Sequence, residues 1–164
     1  MTIRFGILTI SDRSSRGERA DSSGPALVRL IEAEGWSVTK QSLLPDEESA
    51  IRDLLISWAD SSELDVILTT GGTGFSPRDV TPEATRAVIE RESPGLAEAM
   101  RAASLKVTPH AMLSRIVTGI RKRTLIINLP GSPKGAAENL QVVIPVLPHA
   151  VQLLNEDPDS ESTH

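Results

Sequence analysis

The run DVILTT (65–70) ends directly on GGTG (71–74). A continuous apolar run of this kind, bounded by glycines, reads as a central strand of a parallel sheet, buried on both faces. A second such run, IRFGILTI (3–10), opens the chain. Such strands must be covered by helices on either side, so the question becomes whether helical periods fall between them. They do. Leu27, Leu30 and Ile31 recur at helical spacing before Gly35, and Ile51, Leu54, Leu55 and Trp58 line one face of a helix that starts at PDEES (45–49). WSVTKQSLL (36–44), IVTG (116–119) and TLIINLP (124–130) read as further strands, the last two joined by the basic turn IRKR. The alternation predicts an α/β fold with a mostly parallel sheet and helices on both faces.

Punctuation residues place the remaining helices. Thr81 and Pro82 read as N-cap and first helical residue, Ser93 and Pro94 repeat the device, and Ser132 and Pro133 begin the last helix. Leu140, Ile144, Leu147, Val151 and Leu154 give that helix an apolar stripe, and Pro145 and Pro148 predict a kink or break within it. SDRSSRGERADSSGP (11–25) is expected to be a loop. One domain over 1–155 is expected, followed by an acidic, disordered tail over 156–164.

Composition narrows the chemistry. There is no cysteine, hence no disulfide, thiolate metal site or cysteine nucleophile. His110, His149 and His164 are far apart and lack metal-ligand spacing. A net charge of −5 and 2% aromatic residues give no sign of a nucleic-acid surface. No apolar stretch approaches the roughly 20 residues of a membrane span, and the first ten residues do not fit a signal peptide. No membrane association and a cytoplasmic location are expected.

In parallel sheets ligands bind beyond the carboxyl ends of the strands. Four loops therefore matter. Gly71, Gly72, Thr73 and Gly74 would let backbone N–H groups approach an anion, or would simply form a tight turn. Neither a Walker A loop nor a dinucleotide fingerprint is present, since no Gly-Lys-Ser/Thr and no G-x-G-x-x-G occurs there. Arg78 offers a fork of donors and Asp79 hard oxygen for Mg²⁺; alternatively they are an exposed pair before a helix. Asp46 should reach the same rim as Asp79, although an aspartate there also fits an N-cap. LPGSPKG (129–135) turns into a helix N-terminus that favours an anion, with Lys134 adding charge, or only caps the helix. Ser11, Asp12 and Arg13 either contact a ligand or start the long loop after the first strand. Taken together, glycines, carboxylates and cations on one rim suit phosphoryl or nucleotidyl transfer. Acyl transfer is disfavoured, because no serine has a plausible histidine base.

TTGGTGFSPRDVTPEAT, SPGLAEAMRAASLKVTPHAMLSR and TLIINLPGSPKG resemble the molybdopterin adenylyltransferase family, which includes bacterial MogA and the G domains of gephyrin and its plant counterpart. The resemblance runs from Ile3 to Leu154 and implies a three-layer α/β/α fold and a homotrimer. It implies Mg²⁺-dependent transfer of AMP from ATP to the terminal phosphate of molybdopterin, with release of pyrophosphate and hand-over to a separate molybdenum-insertion protein. Position by position, Asp46 and Asp79 match the family's essential acidic residues and would hold the Mg²⁺. Gly71 to Gly74 match its nucleotide-phosphate loop. Thr73, Ser104, Ser114 and Asn128 match positions that hold nucleotide or pterin, and Pro130 and Gly131 match its LPG turn. Ser132 stands where many relatives have Asn, and Lys134 is variable. The motifs separate the enzyme less well from MoaB-type paralogues, so a pterin- or nucleotide-binding module without turnover is the alternative; a scaffolding role is a third.

Overall fold

The computed structural model describes residues 1–163; the last residue of the tail, His164, lies outside them. The chain runs β1 (Arg4–Ile10), α1 (Asp12–Ser15), α2 (Ser23–Ala33), β2 (Ser37–Leu44), α3 (Glu48–Asp60), β3 (Val66–Thr70), α4 (Thr81–Val88), β4 (Arg91–Glu92), α5 (Pro94–Leu105), a 3-10 turn (Pro109–Leu113), β5 (Thr118–Arg121), β6 (Thr124–Leu129), α6 (Pro133–Val143), a second 3-10 turn (Ile144–Val146) and α7 (Leu147–Leu154). The strands form one sheet in the order β2-β1-β3-β6-β5-β4. Pairing is parallel from β2 through β6, and the β4–β5–β6 edge is antiparallel.

The two faces of the sheet follow from strand alternation. Ile7, Leu68 and Ile127 point to one side and pack with Leu27 and Ile31 of α2, Met100 of α5, Leu140 of α6 and Val151 of α7. Their neighbours Leu8, Ile67 and Ile126 point to the other side and meet Ile51, Leu55 and Trp58 of α3 and Val88 of α4. This is the three-layer arrangement that the uninterrupted apolar runs require. Gly6 makes room on the α3 side, where a Cβ would come within 2.9 Å of the Trp58 ring. No helix among the described residues is long and apolar enough to cross a membrane.

Several local expectations change. The 11–25 segment is not all loop: Ser11 caps the single turn of α1, its Oγ accepting from Ser14 N, and α2 already begins at Ser23. Thr81 is the first residue of α4 rather than its cap, and Val80 occupies the cap position. The IRKR turn shortens to Lys122–Arg123 because β5 extends to Arg121, and the two-residue edge strand β4 has no sequence signature. Pro145 does break the last helix, whereas Pro148 sits in the first turn of α7, where its missing N–H costs nothing. The tail, expected to be disordered, continues as a 3-10 segment over Pro158–Thr163, begun by a hydrogen bond from Ser160 N to Asp157 O.

Candidate active site

The loops after β1, β2, β3 and β6 meet on one rim because the strand ends are in register. Thr9 pairs with Thr70 and Thr70 with Leu129. Ser11 N donates to Leu44 O at 2.9 Å, and Gly71 N to Leu129 O at 3.2 Å. The chain passes from β1 to β2 on one side of the sheet and later to β3 on the other. The loops after β1 and β3 therefore diverge and leave an open cleft of about 630 Å³ at the switch point.

The glycine loop is more constrained than a plain turn. Gly71 has φ +107°, and a Cβ there would overlap the carbonyl oxygen of Ile10. Gly131 lies against it, with room for only 3.2 Å between an added Cβ and Gly71 Cα. Thr81 holds the loop from below: its Oγ1 donates to Gly71 O at 2.9 Å, and its N–H to Gly72 O at 3.1 Å. Gly74 N donates to the Asp79 carboxylate. The N–H groups of Gly72 and Thr73 have no acceptor among the described residues, so two donors in succession are left for a ligand.

Three carboxylates converge on this loop. Asp46 is buried and is not an N-cap; Glu47 takes that position without a side-chain bond. Asp46 and Asp12 instead exchange hydrogen bonds, Asp12 N donating to Asp46 Oδ2 and Asp46 N to Asp12 Oδ1, both at 2.9 Å. Asp46 Oδ1 faces Gly72, where an added Cβ would lie 2.8 Å from it. Burial pushes the Asp46 carboxyl above its ordinary value, and the charges of Asp12 and Asp79 push the same way, against the Asp12 N–H and Arg78. Asp79 Oδ2 accepts from Gly74 N and Ser76 N, both at 3.1 Å, and so fastens the loop on which it stands.

Arg78 is turned toward carboxylates. Its Nε and Nη2 grip both oxygens of Asp12 at 3.0 and 3.1 Å, and Nη2 reaches Glu47 at 2.9 Å. That grip holds the Asp12 carboxyl below its ordinary value and raises the already high Arg78 pKa further. The opposite wall of the cleft carries Arg13, Arg16 and Arg19. Arg16 pairs with Glu18, while Arg13 and Arg19 form no ion pair among the described residues.

A second, smaller cavity of about 280 Å³ lies on the far side of the glycine loop. It is lined by Thr73, Gly74, Ser104, Ser114, Pro130 and Ser132, and its wall is more apolar, with Val107, Ala111 and Leu113. Ser104 Oγ accepts from Asn139 Nδ2 at 2.9 Å. Ser114 Oγ is buried and has no partner among the described residues. Ser132 lines both cavities, and its Oγ caps α6 by accepting from Gly135 N at 3.0 Å.

Two sequence candidates are placed elsewhere. Asn128 is fully buried inside the sheet: its Oδ1 accepts from Val117 N, and its Nδ2 donates to Thr69 and Thr85. All three of its principal hydrogen bonds are used within the protein, so it holds the core rather than a ligand. Lys134 is largely exposed, lies 3.9 Å from Glu138 and lines neither cavity. Sequence reasoning also missed Arg115, which grips the glycine loop from below: its N–H donates to Thr73 O, Nε to Gly74 O and Nη2 to Asp79 O. A single arginine after a 3-10 turn carries no periodicity that would reveal this.

Comparison with known proteins places the chain in a family. Residues 6–149 match the family described as a probable molybdopterin binding domain. The chain is 47% identical to gephyrin of Dictyostelium discoideum over 165 residues, covering 94% of this chain but 23% of the relative. It is 43% identical to the molybdopterin adenylyltransferase of Helicobacter pylori strain J99, covering 93% of this chain and 88% of that protein. The chain thus spans about a quarter of gephyrin and of the Drosophila melanogaster cinnamon protein, but most of the bacterial relative. Among solved structures, the molybdopterin biosynthesis enzyme MoaB of Thermus thermophilus superimposes with a TM-score of 0.90 at 54% identity, over 96% of this chain and 99% of that one. A MogA structure superimposes with a TM-score of 0.86 at 40% identity, over 92% and 99%.

Proposed function

This chain belongs to the probable molybdopterin binding domain family, and from that premise we propose that it is a molybdopterin adenylyltransferase of molybdenum cofactor biosynthesis. A terminal phosphate oxygen of molybdopterin attacks the α-phosphorus of ATP. A new P–O bond forms, the α–β anhydride bond breaks, and pyrophosphate leaves. The observation that carries the reading is the glycine loop itself. It stands between a polar, arginine-edged cleft suited to a triphosphate and a smaller, more apolar cavity suited to a heterocycle, so that two anionic substrates would meet at its N–H groups.

The residues divide the work by position. The Gly72 and Thr73 amides would accept charge from the phosphates, and Arg13 and Arg19 would neutralise the outer phosphates. Each well-placed donor of this kind is worth about 10²–10³ in rate. Ser114 Oγ, buried in the smaller cavity without a partner among the described residues, would satisfy itself on the pterin, with Ser104 and Thr73 beside it. Asp46 Oδ1 and Asp79 are hard oxygen ligands at the loop and fit Mg²⁺, which binds through one or two carboxylates plus substrate phosphates. When bound, that ion would neutralise charge on the phosphates. The protein would act as a cytoplasmic homotrimer and pass its product to a metal-insertion protein. The exposed Val107, Met112 and Leu113 supply apolar surface that an assembly could cover.

A second reading has its own support. The smaller cavity and the free loop amides would bind a pterin or nucleotide whether or not transfer follows. A paralogue that binds without turnover shares that geometry. Pyrophosphate release on mixing the protein with ATP, Mg²⁺ and molybdopterin separates the two: stoichiometric binding without release would reject the enzyme.

A further inference from the structure

We infer that Arg115 is a positioning residue that aims the glycine loop's N–H groups without touching either substrate; this rests on the proposed anion-binding role of that loop. The inference starts from peptide geometry. In a trans peptide the N–H points opposite to the carbonyl of the preceding residue. Each loop carbonyl that is held by a partner therefore fixes the amide of its own peptide unit in the opposite direction.

Two residues hold these carbonyls. Thr81 takes Gly71 O and Gly72 O through its hydroxyl and its N–H. Arg115 takes the next two: its N–H meets Thr73 O at 2.8 Å, and its Nε meets Gly74 O at 2.8 Å. The guanidinium goes further, with Nη2 on Asp79 O at 2.9 Å and Nη1 on Glu83 at 2.7 Å. Arg115 thus ties the start of the loop, its end and the first turn of α4 together. Each of the four successive amides, Gly72 to Phe75, is thereby directed away from the partner of the preceding carbonyl: Gly72 and Thr73 away from Thr81, Gly74 and Phe75 away from Arg115. Gly74 N is satisfied by Asp79, leaving Gly72, Thr73 and Phe75 without acceptors among the described residues.

The geometry also says why the residue is an arginine. One planar guanidinium serves Gly74 O, Asp79 O and Glu83 at once, with donors in fixed directions. A lysine ammonium could reach one or two of them but would not fix their relative orientation. Glu83 offsets the positive charge at the solvent-facing end of the guanidinium, so Arg115 adds little field at the ligand. Its contribution is geometric.

Inorganic pyrophosphate is the probe, read by amide chemical shifts of the full-length protein. In the wild type, pyrophosphate should move the Gly72 and Thr73 resonances. In Arg115→Met the same resonances should respond at least tenfold more weakly, while circular dichroism stays native. Arg115→Lys should fall between the two and guards against a Met variant that fails to fold. In the adenylyl-transfer assay, kcat normalised to the folded fraction measured by circular dichroism should fall at least tenfold in both variants while KM for molybdopterin stays within twofold. The normalisation is needed because loss of folded protein alone also lowers apparent kcat at unchanged KM. Wild-type-like shifts and kcat in folded Arg115→Met or Arg115→Lys would overturn the inference. So would a wild type whose Gly72 and Thr73 amides ignore pyrophosphate. If those shifts appear but the wild type releases no pyrophosphate from ATP, the positioning role stands and the adenylyltransferase reading falls.

Discussion

Asp46 is the residue whose two sequence readings the structure separates most sharply. Read along the chain it is either a rim carboxylate or a helix cap; in space it is a buried carboxylate locked to Asp12 and turned toward Gly72. Its pKa is raised by burial, so the folded protein binds a proton here more readily than the unfolded chain does. Ionisation of Asp46 therefore weakens the fold, and the loss accrues as pH rises from the ordinary carboxylate value of 3.8 through the raised one. Asp46→Asn keeps an acceptor for Asp12 N and removes the charge. The variant should melt above the wild type at pH 7, the advantage should vanish at or below pH 3.8, and adenylyl transfer should fall by about 10² or more. A neutral-pH melting temperature equal to or below that of wild type would show that Asp46 is not a desolvated charge. Gly72→Ala should behave differently. Its φ of +69° costs a side chain about 1–2 kcal/mol, and the new Cβ would press on Thr81 Oγ1 at 2.5 Å and Asp46 Oδ1 at 2.8 Å. Stability and activity should drop together, measurable by thermal unfolding and pyrophosphate release on one preparation.

At the scale of elements, the α6 N-terminus and the β6 strand carry opposite lessons. Ser132 is legible as a cap, and its Oγ does accept from Gly135 N. Ser132→Ala should cost about 1 kcal/mol, and Ser132→Asn, another good cap, should be nearly neutral; equal losses for both would mean that the hydroxyl serves a ligand instead. Asn128 matches a ligand-holding position by resemblance, but on β6 its side chain ties the strand to Val117, to Thr69 of β3 and to Thr85 of α4. Asn128→Ala strands Val117 N and Thr69 Oγ1, while the Thr85 hydroxyl keeps its bond to Thr81 O, at about 1–3 kcal/mol for each group that fails to re-pair. The expected result is a loss of about 3 kcal/mol in denaturant unfolding, with KM for ATP unchanged in the folded fraction. A raised KM at unchanged stability would return Asn128 to the site.

For the whole molecule, the proposed function depends on loops that four separate strands deliver to one rim. If both substrates occupy that rim, they stabilise the native state by mass action. Each ligand at about a hundred times its Kd should add about 2.7 kcal/mol. Thermal unfolding with ATP and Mg²⁺ should therefore show a concentration-dependent rise, and Asp79→Asn should abolish most of it, because it loosens the loop at Gly74 and Ser76 and removes the carboxylate proposed to hold the metal. No rise at any ATP concentration would count against nucleotide binding altogether. Sedimentation should report a trimer; a monomer at assay concentration would remove the exposed Val107, Met112 and Leu113 face as an interface.

The sequence alone determined the layers. Uninterrupted apolar strands such as VILTT and RFGILTI bury both faces, helical periods between them supply the cover, and a glycine loop at a strand's carboxyl end lies where parallel sheets bind ligands. It also located the rim, since loops after parallel strands share one edge. What it left open were the roles of side chains whose partners are remote in the chain. Asp46 and Asp12 are 34 residues apart, Arg78 and Asp12 66, and Arg115 and Gly74 41. Local preference offered a helix cap at Asp46 and read one at Thr81. Tertiary packing overruled both, because a buried carboxylate and a buried hydroxyl must find hydrogen-bond partners wherever the fold supplies them. Which amides of the glycine loop remain free is likewise settled only in space, by the residues that occupy the carbonyls on its other side.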